Sequence, residues 1–287
     1  TGNTDVINVI VDATNTTTNA GTFTVADVET VKITAKGEFL DDGVTPGKTA
    51  NDGIDDTAAD IASLTLKADK VKTITIDGYA DLTLDTDPSV STVLTKVDAS
   101  KMTGALTYEA DLAKVEVIGG SGADKLTAKA HEVKINGGAG NDIITINKAF
   151  DKVVVDGGTG NDTFIIKGAA NTIDNYAVFN NVTAGDTFDF SALGVTNFVS
   201  TKVALSAGAT ESSQALTNEA TKVLSEGEMG WFQYNGNTFI VVNVDGNGAT
   251  ADVDTYEAGH DTVVMITGLV DLSNASFNAT TDTLVIA

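Results

Sequence analysis

Short alternating runs of β-branched and other apolar residues return about every ten positions along this chain, and that beat limits what it can fold into. The runs are Val31-Lys-Ile-Thr, Leu64-Thr-Leu, Ile74-Thr-Ile, Leu82-Thr-Leu, Val93-Leu-Thr, Leu106-Thr-Tyr and Val115-Glu-Val. They continue through Leu126, Val133-Lys-Ile, Ile143-Ile-Thr-Ile, Val153-Val-Val and Phe164-Ile-Ile. A strand of three or four residues cannot bury an apolar face alone, but coiling the chain so that each strand lies over the one two runs earlier builds a continuous core. The pattern predicts an all-β fold, a parallel β-solenoid with two strands and two turns per coil, over at least residues 61 to 167. An antiparallel sandwich also spaces its strands this way, and the regularity of the beat favours the solenoid.

Charge narrows the function. Forty Asp plus Glu against seventeen basic residues leave a formal net charge of −23, which argues against nucleic acid and anionic membrane surfaces as partners and makes cations the natural ones. Every basic residue is Lys, so the planar guanidinium fork that clamps phosphates is missing and a nucleotide enzyme is not expected. With no Cys there is no disulfide framework, thiolate zinc site or thiol nucleophile. No apolar run is long enough to span a bilayer, so membrane insertion is not expected. The chain opens on Thr-Gly-Asn-Thr, without an initiator Met, a basic n-region or an apolar h-region. The expectation is a piece of a longer protein that does not use an amino-terminal export signal of the usual kind.

Two stretches break the beat. Gly37 to Asp60 is acidic, with Asp41-Asp42, Pro46-Gly47, Asn51-Asp52-Gly53 and Asp55-Asp56, and reads as a solvated insertion between coils or an extra cation loop. Ser206 to Gly227 is the one candidate helix, with Leu216, Ala220, Val223 and Leu224 at helical spacing and Gly227 as its stop.

Three copies of one nonapeptide carry the chemistry: Gly119-Gly-Ser-Gly-Ala-Asp124-Lys-Leu-Thr, Gly137-Gly-Ala-Gly-Asn-Asp142-Ile-Ile-Thr and Gly157-Gly-Thr-Gly-Asn-Asp162-Thr-Phe-Ile. Their spacing of about two half-turns stacks all three on one edge of the solenoid. The glycines allow tight turns that aim carbonyls inward. The backbone of Gly119, Gly120, Ser121 and Gly122, of Gly137, Gly138, Ala139 and Gly140, and of Gly157, Gly158, Thr159 and Gly160 then joins the carboxylates of Asp124, Asp142 and Asp162. Two stacked turns supply about six hard oxygens, the number Ca²⁺ takes. One ion is expected between the first and second turns and another between the second and third, with Asp142 serving both. The intervening half-turns, Lys129-Ala-His-Glu132 and Asn147-Lys-Ala-Phe150, lack the motif, so metal is expected on one edge only.

These nonapeptides resemble the repeats-in-toxin (RTX) family, and the resemblance covers most of residues 61 to 287. It implies a division into an amino-terminal β segment with an acidic loop (1–60), a motif-free solenoid (61–118), a calcium β-roll (119–167) and a β-rich capping and secretion region (168–287). Gly185-Asp186-Thr-Phe-Asp189-Phe-Ser191 looks like the stretch that follows the last RTX repeat, which puts Asp186 and Asp189 among the candidate ligands. Asn171 and Asn175 stand where the family usually has Asp. Phe239 to Gly248 and Gly259 to Leu269 look like the family's final hairpin, where Asp245, Asn247 and Asp261 could hold a further ion or Asp245 and Asn247 could merely stabilise a turn. Asp282-Thr-Leu-Val-Ile-Ala287 is similar to carboxy-terminal signals read by the type I secretion apparatus.

The functional expectation is a structural protein without a catalytic centre. His131 and His260 lie in no His-Glu-x-x-His frame, and no Gly-x-Ser-x-Gly elbow occurs. The resemblance points to the carboxy-terminal part of an RTX-type bacterial surface-layer protein. Such a protein is secreted to the cell surface, partners itself in a lattice and takes cell-surface polysaccharide as a candidate anchor. Calcium would harden it after export. The alternatives are the export domain of a secreted hydrolase or a repeat adhesin, although Trp231, Phe232 and Tyr234 read as core, not as a ligand-binding cluster.

Overall fold

The computed structural model describes residues 5–13, 17–37, 61–147, 152–168, 176–205, 224–244 and 261–287. The chain alternates between two sheets, one strand to each per coil. The first sheet stacks β1 (Val6–Ala13), β3 (Thr30–Gly37), β5 (Thr73–Gly78), β7 (Lys96–Met102), β9 (Glu116–Ile118), β11 (Lys134–Ala139), β13 (Val154–Thr159) and β15 (Ala177–Asn180). The second stacks β2 (Thr17–Val25), β4 (Ile61–Ala68), β6 (Asp81–Thr86), β8 (Leu106–Ala110), β10 (Lys125–Ala128), β12 (Ile143–Ile146), β14 (Thr163–Ile166) and β16 (Thr187–Asp189). Every pairing among these sixteen is parallel, which identifies the solenoid and excludes the sandwich.

Side-chain alternation explains the stack. Val31, Ile74, Val97, Val117, Ile135, Val155 and Phe179 form one inward column of the first sheet, each the register partner of the next. Leu64, Leu84, Tyr108, Leu126, Ile144, Phe164 and Phe188 form the facing column of the second. All are buried, and no strand could bury its share without the coils on either side. Toward the carboxy-terminal end the columns become aromatic, with the rings of Phe164, Phe179 and Phe188 packed at centroid distances of 5.0 to 5.1 Å.

The coil already begins at β1, well before residue 61. The spacing rule misses this first coil because residues 38–60, which lie outside the described residues together with the acidic loop expected there, separate β3 from β4. One run is misplaced as well. Val93 is exposed and precedes the strand, and the register residue of that coil is Val97 in β7, while Leu94 is buried from the turn. The helix expected at 206–227 falls largely outside the described residues; Leu224 is buried in the cap.

Strands in mixed parallel and antiparallel pairing close the carboxy-terminal end. The first sheet continues through β20 (Thr262–Ile266), β19 (Asn237–Val242), β18 (Glu228–Tyr234) and β17 (Asn197–Phe198), while β22 (Thr283–Val285) and β21 (Ser276–Asn278) extend the second. The β18–β19 hairpin turns on Asn235-Gly236, both at positive φ, as a tight two-residue turn requires. Trp231 and Phe232 are buried in this cap, and Trp231 donates its indole N–H to the Ser200 carbonyl at 2.9 Å. The tail is an interior strand: β22 lies between β16 and β21, with Leu284 and Ile286 buried. Among the described residues no helix is long and apolar enough to cross a membrane.

Candidate metal centre

The three nonapeptides join β9 to β10, β11 to β12 and β13 to β14, and so recur on one edge of the rod. Their glycines answer two demands. In the second and third copies Gly138, Gly140, Gly158 and Gly160 sit at φ of +106°, +116°, +96° and +134°, a region other residues rarely enter. In the first copy close stacking dominates: a Cβ on Gly120 would lie 2.3 Å from the Met102 carbonyl oxygen, and one on Gly122 2.6 Å from the Gly104 backbone.

The sixth-position aspartates point inward and stack. Asp124, Asp142 and Asp162 are at most 1 % exposed, which is rare for carboxylates. Register pairing makes Asp186 the fourth rung of the same column, since Thr163 pairs with Thr187 just as Lys125 pairs with Ile143. Each carboxylate uses one oxygen to bind the preceding coil. Oδ1 of Asp142 accepts the Asp124 N–H at 2.8 Å, Oδ1 of Asp162 accepts the Asp142 N–H at 2.9 Å, and Oδ1 of Asp186 accepts the Asp162 N–H at 2.9 Å. Asp124 extends the ladder by accepting the Leu106 N–H at 2.6 Å. Successive rungs are 18, 20 and 24 residues apart.

The second oxygens differ from rung to rung. Oδ2 of Asp124 accepts the Gly120 N–H at 2.7 Å, and Oδ2 of Asp186 accepts the Thr183 N–H at 2.7 Å. Oδ2 of Asp142 is buried without a hydrogen-bond partner. A Cβ placed on Gly137 would meet this oxygen at 2.2 Å and the Gly157 carbonyl oxygen at 2.4 Å, so carboxylate and carbonyl converge on one small space. The first turn repeats the arrangement, where a Cβ on Gly119 would meet Asp124 Oδ2 at 2.2 Å and the Gly137 carbonyl oxygen at 2.1 Å. Converging carboxylate and carbonyl oxygens are hard donors of the kind that suits Ca²⁺. Among the described residues no three His, Asp or Glu side chains converge, so any metal here must draw on backbone carbonyls.

Burial sets the electrostatics. Removal from water pushes Asp142 up to about 7, with the charges of Asp124 and Asp162 adding to the rise and the Asp124 N–H opposing it. Asp124 is raised to about 6, again chiefly by burial, with Asp81 contributing. Asp162 is raised by burial and by Asp186 and Asp156. A column of desolvated like charges is unfavourable unless a proton or a cation offsets it. The residues present therefore fit a divalent hard cation at the junctions of Asp124 with Asp142 and of Asp142 with Asp162.

Other expected ligands stand elsewhere. Asp189 stands on the half-exposed outer side of the second sheet, paired between Ile165 and Thr283, and its Oδ1 accepts the Ser191 N–H at 2.8 Å. The fold does not bring it to the ladder. Asp261 is buried at the start of β20, and its Oδ1 accepts the Val244 N–H at 3.0 Å. Asp245, Asn247 and His260, like Asn171 and Asn175, lie outside the described residues. Ser121, Ala139 and Thr159 occupy equivalent places in the three turns, with Ala139 and Thr159 direct register partners.

Two contributors were not anticipated. Asp81, two coils before Asp124 and one place out of its column, accepts the Ala105 N–H at 2.7 Å and so ties to the coil that follows it, the reverse of the ladder's direction. Thr183 satisfies Asp186 through its N–H and, at 3.3 Å, its hydroxyl. Neither lies a fixed coil period from the nonapeptides, so counting along the sequence does not reach them. The opposite edge is built without the motif: Lys114, Glu132 and Lys152 adopt positive φ there, and Lys114 Nζ lies 3.9 Å from Glu132 Oε1. No protein-family model matches the chain, and no curated protein is significantly similar to it.

Proposed function

We propose that this chain is a calcium-hardened structural rod of RTX type, working in a self-assembling bacterial surface layer after type I export. The observation that carries the reading is the buried, unpartnered Asp142 Oδ2 facing the Gly157 carbonyl, in a column of stacked inward aspartates. Asp124, Asp142 and Asp162 with the carbonyls of their glycine turns would hold the ions, and bound Ca²⁺ supplies the positive charge the column lacks. The chain's own part is architectural. The Oδ1 ladder ties coil to coil, and the glycines bring the carbonyls within reach.

Calcium dependence follows from mass action. Extracellular calcium modules bind with dissociation constants of roughly 10⁻⁴ to 10⁻³ M, so at millimolar calcium each of the tighter sites contributes about 2 kcal/mol, and at the submicromolar levels inside a cell almost nothing. Against a total stability of about 5 to 15 kcal/mol, two such sites decide how firm the rod is. Continuity of the coil from β1 through β16, including coils without the motif, supports a structural role extending beyond the repeats. Thermal denaturation in millimolar calcium and in chelator tests the reading. A substantially higher midpoint with calcium is expected, and an unchanged midpoint overturns it.

A further inference from the structure

The glycine turns have an outer side as well as an inner one. Where β9, β11 and β13 run into them, the first sheet carries a groove of about 680 Å³ that crosses five successive coils, from Ser100 through Ile118, Asn136 and Asp156 to Asn181. Four intervals of ~4.8 Å make it about 19 Å long, parallel to the rod axis. Its volume is that of an ordinary ligand site.

Coil stacking makes the floor. Gly120, Gly138 and Gly158 follow one another from coil to coil: the Ala139 N–H is donated to the Gly120 carbonyl at 2.9 Å, and Gly138 is the register partner of Gly158. A Cβ on Gly138 or Gly158 would lie 2.3 or 2.0 Å from the carbonyl oxygen of the glycine one coil before, so the floor has to be bare main chain. Polar side chains stand along it. Asp156 is held in place, with Oδ1 accepting the Gly158 N–H at 3.0 Å and Oδ2 accepting from Asn181 Nδ2 at 2.6 Å. Asn136, its register partner one coil back, is exposed and presents an amide, while Ser121 and Thr159, also exposed, add hydroxyls.

This lining turns away most kinds of ligand. Among the described residues no Lys borders the groove, and the chain has no Arg, so an anion would find no counter-charge in a molecule of net charge −23. Asp156 is the one carboxylate along the groove and both its oxygens already accept hydrogen bonds, which is too little for a cation. Ile118 is the one large apolar side chain, too little for an apolar molecule. An added peptide strand needs unpaired main-chain groups, whereas β9, β11 and β13 are each paired on both sides. An uncharged polyhydroxyl chain does fit. Its hydroxyls donate and accept, as the amides of Asn136 and Asn181 and the hydroxyls of Ser121 and Thr159 do, and the remaining lone pairs of Asp156 accept. A linear pyranose chain also advances by nearly one coil spacing per sugar, so successive sugars can meet successive coils.

We infer that this groove binds a linear neutral glycan, laid along the rod axis over the glycine floor, with Asp156, Asn136 and Asn181 as its main polar contacts. The inference goes beyond the proposed function: the cations belong inside the turns and the sugar outside, and no side chain serves both.

The test is nuclear magnetic resonance of the whole nitrogen-labelled chain in millimolar calcium, titrated separately with cellohexaose, maltohexaose and a β-1,3-linked glucose hexamer. At least one is expected to shift the amides of Gly120, Gly138 and Gly158 and the side-chain amides of Asn136 and Asn181, and to bind more tightly than its trimer. Asn136→Ala and Asn181→Gly, the latter keeping the positive φ of that position, are each expected to weaken binding about fivefold or more and to leave the calcium-induced rise in melting temperature unchanged. Spectra that no hexamer changes at millimolar concentration overturn the inference. So do shifts that fall away from the groove, binding that both variants leave intact, and a stronger response to a galacturonate hexamer or a Gly-Ser peptide than to the neutral sugars. The calcium reading is judged by melting temperature without any sugar, so the two fail separately.

Discussion

Replacing Asp142 with Asn should change sign with calcium. The amide oxygen can keep the acceptor role of Oδ1 toward the Asp124 N–H, and its NH₂ can donate toward the Gly157 carbonyl, where Oδ2 now has no partner. Without calcium the wild-type carboxyl, raised from 3.8 to about 7, is charged at pH 8 at a cost to the folded state. At about 1.4 kcal/mol per pKa unit that cost is at most about 4 kcal/mol, so Asp142→Asn in chelator should be more stable than wild type by about 1 to 4 kcal/mol. In millimolar calcium the order reverses. The wild type gains about 2 kcal/mol from each of two junctions that share Asp142, and the variant forfeits most of both. Urea denaturation followed by circular dichroism, at pH 8 in chelator and in millimolar calcium, measures both differences. A variant that is less stable than wild type in chelator, yet responds fully to calcium, would refute the reasoning.

Three further outcomes follow from the same geometry. In chelator the folded state holds protons on Asp124 and Asp142 up to about 6 and 7, while the unfolded chain releases them near 3.8, so stability should fall as pH rises from about 4 to 7. A melting temperature in chelator that stays level or climbs between pH 5 and 8 contradicts this, and calcium should flatten the decline. Gly138→Ala forces a Cβ to 2.3 Å from the Gly120 carbonyl at φ +106° and should destabilise by about 2 to 4 kcal/mol, whereas Gly236→Ala, at φ +80° in open space, should lose only about 1 kcal/mol. Equal losses in the two would mean that coil stacking is not what demands the glycine. Asp189→Asn should change stability by less than about 0.5 kcal/mol and leave the calcium-induced rise in melting temperature intact, since Asp189 stands apart from the ladder. A halved rise would place it among the ligands.

The stacking of Asp124, Asp142 and Asp162 was legible because a nine-residue glycine-rich motif repeats in phase with the strand beat, and the β-solenoid was legible from that beat itself. Periodicity alone located strands only to within a few residues. Val93-Leu-Thr looks more strand-like than Lys96-Val-Asp, although the coil needs its inward residue in register with Ile74, which is Val97. Asp186 drew attention through a family resemblance, but its place as a fourth rung depends on a 24-residue coil that a fixed period does not reach. Asp189 looked equivalent to Asp186 in sequence, yet three positions along a strand turn a side chain to the opposite face. The antiparallel β19–β20 pair coincides with the final hairpin that the resemblance implies, but the rest of the order β15-β20-β19-β18-β17 was not legible, because which strands cap a rod depends on packing between segments far apart in the chain.

Crystals grown with millimolar calcium and measured for anomalous scattering test the central claim most directly. Peaks are expected between Asp124 and Asp142 and between Asp142 and Asp162, with Asp142 shared by both. A well-ordered map in which those carboxylates contact only protein and water would contradict the account.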